Sequence, residues 1–421
     1  MSRRVVITGI GAQVAGGSGT KAFWERIVSG RAATRTITAF DATGFRSRIA
    51  GECDFDPAQH GLNRQEIRRL DRVTQLALAT TAEALADSGL EPELTDPDRL
   101  GVVIGTATGC SVSLDREYAV ASNGGRTWLV DHTSVTPHMY ANFVPSSIAA
   151  EVAWSVGAEG PATVVSTGCT SGIDAVGLAC DLIRDGLIDA AFTGASEAPI
   201  TPISVACFDA IRATSARNDE PDTASRPFDR TRDGFVLAEG SAGLILEELG
   251  HAQRRGAHIY AEIGGFASRS NAYHMTGLRS DGAEMAEAIR AASDEARIDG
   301  TDIGYVNAHG SGTKQNDRHE TAAFKRSLGD HARRVPISSI KSMIGHSLGA
   351  IGAIEIAACA LAIENGVIPP TANLHEADPT CDLDYVPLTA RDQKFDVALT
   401  VGSGFGGFQS AMVLAAPGRL R

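Results

Sequence analysis

The chain of 421 residues has no apolar run near the roughly 18 residues that would cross a bilayer. Its best stretch, 350–363, is broken by Glu355 and is too short, so no membrane segment is expected. CxxC pairs are also missing. The seven cysteines (Cys53, Cys110, Cys169, Cys180, Cys207, Cys359 and Cys381) are widely spaced and odd in number, which argues against a disulfide framework or a zinc site and suits a reducing cytoplasm. Aromatic residues make up only 5%, pointing to packing built on small Ala and Gly side chains. Positive charge is in deficit, with a formal net charge of -13, so nucleic-acid binding, which needs many Lys and Arg on one face, is not expected and only local basic patches remain. The apolar run after Arg3-Arg4 ends at Ile7, too short for a signal segment, and reads as a first strand.

What is present is an ordinary globular composition, 43% apolar, in a chain longer than a single hydrophobic core usually reaches. Two domains or a duplicated core follow. Reading β-branched runs as strands and Ala-rich periodic runs as helices, the elements before residue 250 recur after it. The opening strand 4–9 is echoed at 259–264, the helix 75–89 at 283–300, and the strand 101–105 at 304–310. Gly168-Cys169-Thr170-Ser171-Gly172 corresponds to Gly345-His346-Ser347-Leu348-Gly349, each opening a helix, and the strand 189–194 corresponds to 396–402. The expected architecture is therefore α/β in two similar halves, 1–250 and 251–421. Residues 111–162 form an insertion that covers the seam or offers a partner surface.

A pseudo-twofold arrangement brings the Cys169 turn beside the polar loops of the other half, at a buried seam where ligands commonly sit. Cys169 follows a strand and precedes a helix starting near Thr170, where the helix dipole is expected to favour thiolate. Gly168 and Gly172 are expected to allow a sharp turn and close approach of a substrate. The other six cysteines read as buried small hydrophobes. His309 and His346, at duplicated positions with Lys341 just before the second, read as functional rather than as capping or core histidines. A metal is not expected, because neither a helical HExxH nor Cys/His zinc spacing is present. Gly345-His346-Ser347-Leu348-Gly349 has the GxSxG form of a nucleophile elbow, yet no motif supplies a base for Ser347, which reads as first-turn helix structure. The glycines of 9–16 do not have GxGxxG spacing, and no acidic residue follows at the usual distance, so a dinucleotide site is not expected.

The sequence resembles the β-ketoacyl-acyl carrier protein synthases, and more narrowly the ketosynthase alpha subunits of bacterial type II aromatic polyketide synthases. The resemblance spans nearly the whole chain. Its marks are Arg4-Val5-Val6-Ile7-Thr8-Gly9, Val165-Ser166-Thr167-Gly168-Cys169-Thr170-Ser171-Gly172 and the segment 225–235, which begins Ser225-Arg226-Pro227-Phe228-Asp229. Further marks are Asn307-Ala308-His309-Gly310-Ser311-Gly312-Thr313, Lys341-Ser342-Met343-Ile344-Gly345-His346-Ser347 and Gly404-Phe405-Gly406-Gly407.

That resemblance implies a thiolase-like fold, a duplicated αβαβα core of five layers, and an acyltransferase that performs decarboxylative Claisen condensation of malonyl carrier protein with a cysteine-bound chain. It implies that Cys169 accepts the chain and that His309 and His346 stabilise the enolate left as CO2 departs. Backbone N–H groups of Cys169 and Phe405 would form the oxyanion hole, with the Phe405 ring as gate. Lys341 would orient the site and pair with Glu355, while Asp317 and Glu320 would hold the histidine loop, in a chemical or a purely structural role. No cofactor is implied, since substrates ride on the phosphopantetheine arm of the carrier. Arg68, Arg69 and Arg212 match carrier-docking positions, and ordinary solvated charge is the alternative reading for them. A homologous beta subunit, the chain-length factor, is the implied heterodimer partner.

Among rivals, a thiolase would need a second cysteine near 402–407, an initiating synthase an Asn where His346 stands, and a chain-length factor would lack Cys169. A fatty-acid elongating synthase shares every catalytic residue and stays open as the alternative.

Overall fold

The computed structural model describes residues 3–127 and 130–420. Ten strands build the core. In the first half they are β1 (Val5–Val14), β2 (Leu100–Gly105), β3 (Ala162–Val165), β4 (Ala190–Glu197) and β5 (Gly240–Glu248). In the second they are β6 (Ala261–Ser270), β7 (Tyr305–Asn307), β8 (Ile337–Ser338), β9 (Val397–Gly404) and β10 (Phe408–Ala415). Their order across the sheet is β8-β7-β9-β10-β6-β1-β5-β4-β2-β3, with the short strand Gly17–Ser18 hairpinned onto β1. Read outward from the middle, each strand of one half meets its counterpart in the other at the same rank. Parallel and antiparallel pairings match as well: β2 is parallel to β3 and β4, and β7 is parallel to β8 and β9. Among the described residues, only the three pairs Val5/Ile263, Val6/Glu262 and Ile7/Ala261 join the halves along the sheet.

The helices complete the layers. α1 (Arg72–Ser88) and α3 (Ser147–Val156) cover the first half, while α5 (Ala283–Ala296) and α6 (Lys314–Leu328) cover the second. Between the halves lie α4 (Ser171–Arg184) and α7 (Ile351–Asn365), which touch strands of both and each other. α2 (Ser111–Ala121) belongs to the insertion. Local chemistry sets the helix ends: the Asp71 carboxylate accepts from the Val73 N–H at the start of α1, Gly89 closes that helix with φ 61°, and Thr313 caps α6 by accepting from Asn316 N–H. The stretch Leu348–Asn365, apolar and long enough to cross a membrane, is the central core element here and 83% buried. An apolar face all round is what a helix between two sheets requires.

α4 and α7 approach so closely that side chains are excluded at the crossing. A Cβ on Gly172 would lie 2.5 Å from the Ala353 nitrogen, and one on Gly352 would lie 2.7 Å from the Ile173 nitrogen. Gly172 thus serves helix packing, in place of the close substrate approach expected from sequence. Gly172→Ala is expected to lower stability by about 1–3 kcal/mol, read as a drop in Tm, because backbone rather than a flexible side chain must yield.

The segment between β2 and β3 carries α2, a short helix Met139–Phe143 and α3. It leaves Tyr118, Val120, Tyr140, Phe143 and Trp154 exposed, and α3, which carries Trp154, packs on β3, a strand that among the described residues pairs only with β2.

Candidate active site

Both halves send their functional turns to the carboxyl ends of parallel strands, where open α/β sheets place ligands. Cys169 follows β3 in a short 3-10 turn, Gly168–Thr170, that runs directly into α4. Gly168 adopts φ 63°, the left-handed conformation that glycine tolerates. The turn is laced by Asp174, one turn into α4, which accepts hydrogen bonds from Thr167, Thr170 (2.9 Å) and Ser410 of β10. In the second half His309 follows β7, and His346 follows β8 through the short helix Lys341–Ile344.

These elements meet. Cys169, His309, His346 and Phe405 line one cavity of about 60 Å³, together with Phe208, Phe235, Leu348 and the polar rim residues Ser311, Thr313 and Asn316. The two imidazoles stand edge to face, with centroids 5.2 Å apart, and Phe235 presses on the second at 5.2 Å. The backbone of His346 is gripped by a first-half strand segment: His346 N–H donates to Val236 O at 2.8 Å, and His346 O accepts from Ala238 N–H at 3.0 Å. Such a volume admits a few waters, well short of the roughly 300–1,000 Å³ of pockets that hold small molecules. A wall must therefore move for an acyl chain to enter. Phe405 is 38% exposed, and it is followed by Gly406 and Gly407 at φ 93° and 87°, which leave its backbone free to swing. Beyond Phe405 lies an outer cavity of about 480 Å³ that shares Phe405, Thr276, Thr313 and Gln315 with the inner one and carries Arg212 and Lys314.

Burial governs the charges. Lys341 lies fully inside and donates to Glu355 of α7 and to the backbone oxygen of His309, so one ammonium ties the central helix to the histidine loop. Glu320 accepts from His309 N–H and, at 2.8 Å, from Gly310 N–H. Asp317 accepts from Phe228 N–H at 2.8 Å and Gly312 N–H at 3.2 Å. Burial pushes Glu320 up to about 8 and Glu355 up to about 7, against the pull of these donors. Burial, reinforced by the Lys341 charge, drives both His309 and His346 well below the usual imidazole value, so both rings are neutral.

The sulfur departs from the sequence expectation. Burial pushes the Cys169 thiol up to about 12, outweighing the Lys341 charge and the N–H groups of Phe405 and Cys169 that point at it. The resting group is a thiol rather than the thiolate expected at a helix start. Modification of Cys169 by iodoacetamide, followed by peptide mass because Cys207, exposed where burial was expected, is open to the same reagent, is therefore expected to quicken about tenfold per pH unit from about 7 to 10. A rate that levels off near neutrality would mean that the helix start outweighs burial.

Other expected residues fall in different places. Ser347 is buried, its hydroxyl has no hydrogen-bond partner among the described residues, and no base reaches it. Arg68 and Arg212 are exposed. Arg69 is not free for docking: both its terminal nitrogens are held by Glu151 of α3, one at 2.8 Å, which fastens the insertion to the helix before α1. Sequence reading missed Asp174 and also Glu197, the buried carboxylate ending β4, which accepts from Ala107 N–H (2.6 Å), Thr108 N–H (3.1 Å) and Gly349 N–H (3.0 Å) and so bridges the halves beside the nucleophile. Only an acidic residue in the first turn of the helix after Cys169 hinted at the first, and nothing local marked the second.

A doubled α/β core that presents one cysteine to two neutral imidazoles and a buried lysine defines an acyl-transferring condensing enzyme of the thiolase fold. Residues 2–252 match the N-terminal domain of β-ketoacyl synthases, and residues 260–375 match the C-terminal domain. The chain belongs to the β-ketoacyl synthase family. It is 66% identical to the tetracenomycin polyketide synthase ketoacyl synthase alpha subunit of Streptomyces glaucescens, over 100% of this chain and 98% of that protein. Identity to 3-oxoacyl-[acyl-carrier-protein] synthase 2 of Coxiella burnetii is 39%, over 98% of each chain. Among solved structures, a type II polyketide ketosynthase bound to a hexaketide, in complex with its acyl-carrier protein, superposes with TM-score 0.92 at 39% identity, covering 99% of this chain and 100% of that one. The ishigamide ketosynthase/chain length factor gives 0.90 at 33%, covering 99% and 100%.

Proposed function

We propose that this chain is the condensing alpha subunit of a type II polyketide synthase, extending a Cys169-bound chain with malonyl units delivered by an acyl carrier protein. The observation that carries the reading is that Cys169 and the two neutral imidazoles of the other half line one cavity. The polyketide assignment, rather than fatty-acid elongation, is supported by the gap between 66% and 39% identity to the two kinds of relative.

The chemistry follows from the charges. The Cys169 sulfur attacks the carrier-bound thioester, the oxygen charge that develops is met by the N–H groups of Cys169 and Phe405, and the thiol proton ends on the departing carrier sulfur. With Phe405 swung aside, malonyl carrier protein then enters. Loss of CO2 leaves an enolate whose oxygen receives hydrogen bonds from His309 and His346, and its carbon attacks the acyl–Cys169 thioester, releasing the sulfur as a thiolate that takes a proton from water to restore the thiol. Neutral rings suit this task, since they donate N–H without first losing charge. Lys341, Glu355, Asp317 and Glu320 hold the loop that carries His309. The reaction calls for no dedicated cofactor beyond the carrier's phosphopantetheine arm, and seven free thiols suit a cytoplasmic setting.

Arg212 and Lys314, at the outer cavity, and Arg68 supply local positive charge for an acidic carrier on an otherwise acidic enzyme. Arg68→Glu is expected to raise the carrier-protein KM severalfold with little change in kcat, and unchanged kinetics would remove Arg68 from the docking surface. The exposed aromatics of the insertion, Tyr118, Tyr140, Phe143 and Trp154, fit a homologous beta subunit, which gel filtration of co-expressed subunits tests. The activity itself is tested by reconstitution with malonyl carrier protein and the beta subunit without any reductase. A poly-β-keto product is expected, and a requirement for reduced acyl primers would instead mean fatty-acid elongation.

A further inference from the structure

The largest side chain among the fully buried ones is an arginine that the chemistry above does not use. Arg232 comes from the first half, in the segment 225–235, and its side chain is 0% exposed. Its Nε meets Asp317 at 2.9 Å, and its Nη1 donates both to Asp378 (2.7 Å) and to the backbone oxygen of Asp229 (2.7 Å). Asp317 in turn fixes Gly312 of the His309 loop and Phe228. Gly310 and Gly312 of that loop adopt φ 41° and 81°, and the loop's Ser311 and Thr313 form the polar rim of the reaction cavity. One planar fork thus spans three segments that are distant in sequence and pairs with two acids inside the protein. A lysine, with a compact ammonium, cannot hold all of these directions at once.

We propose that Arg232 is a positioning residue for the decarboxylation step: through Asp317 it sets the loop that places the His309 ring and the cavity rim. The inference rests on the proposed function, in that His309 must act on the malonyl thioester. It assigns Arg232 no role at the Cys169 turn, which is held by a separate set of contacts to Asp174.

The test separates the two. Wild-type and Arg232→Lys proteins are compared, with the beta subunit present, for release of CO2 from malonyl carrier protein and for iodoacetamide modification at Cys169. Arg232→Lys is expected to lower kcat for decarboxylation at least tenfold, with KM for malonyl carrier protein and the Cys169 modification rate within twofold of wild type. Wild-type decarboxylation in Arg232→Lys overturns the proposal, and so does a parallel fall in both rates, which would mean general loss of structure. If the lysine variant does not fold, the charge-neutral pair Arg232→Met with Asp317→Asn is measured, with the same split expected and the same outcomes decisive. A wild-type enzyme that released no CO2 would strike at the proposed function instead, so the two failures are told apart.

Discussion

Replacing Cys169 with alanine is expected to abolish chain extension, with a loss on the order of 10⁴ to 10⁶ in kcat, because no other group in the cavity can carry the acyl chain. The lining residues include no second thiol, and the buried Ser347 has neither a base nor a hydrogen-bond partner among the described residues. The fold is expected to survive. Cys169 is half-buried and packs at the edge of an apolar cluster with Phe208, Phe235 and Leu348, so the lost sulfur costs little packing. Release of CO2 from malonyl carrier protein should persist in this variant, since the imidazoles are untouched. That retention separates the nucleophile from the decarboxylating pair, and loss of both activities in a folded Cys169→Ala protein would contradict the division of labour.

The histidines should behave in the opposite way. His309→Ala and His346→Ala are each expected to cut decarboxylation by about 10² to 10³, the roughly 2.7–4 kcal/mol typical of one donor to a developing oxyanion. The double variant should lose less than the product of the two, since both rings serve one oxygen. Acyl transfer to Cys169 should fall far less than decarboxylation in either variant. Because burial and the Lys341 charge hold both rings neutral, decarboxylation should stay flat with pH through the usual imidazole range near 6.5. A drop in rate as pH rises through that range would mean that a protonated ring is required.

Much of this was legible in the residues because duplication writes the same elements twice. The pairing of 4–9 with 259–264 and of the Cys169 turn with the His346 turn corresponds to ranks in the sheet that match outward from the β1–β6 junction. Strands β5 and β10 were not singled out. Gly240–Glu248 and Phe408–Ala415 carry small residues and are buried almost throughout, so the alternation that marks a half-exposed strand is missing. The ionisation of Cys169 was misjudged for a related reason: the helix start can be read locally, whereas the burial that opposes it depends on Phe405, Leu348 and Phe235 arriving from distant parts of the chain. Arg69 looked like part of a basic docking face because Glu151, which holds it, lies in the insertion far along the sequence. Glu197 and Arg232 stayed invisible on the same ground, their partners being Gly349, Asp317 and Asp378.

The most direct test is to load the enzyme from an acyl carrier protein thioester, quench it without malonyl carrier protein, and locate the added mass by peptide mapping. A single acyl group on Cys169, discharged as the extended ketone when malonyl carrier protein is added, is the expected result; an acyl group on Ser347, or extension with no covalent enzyme species, would contradict it.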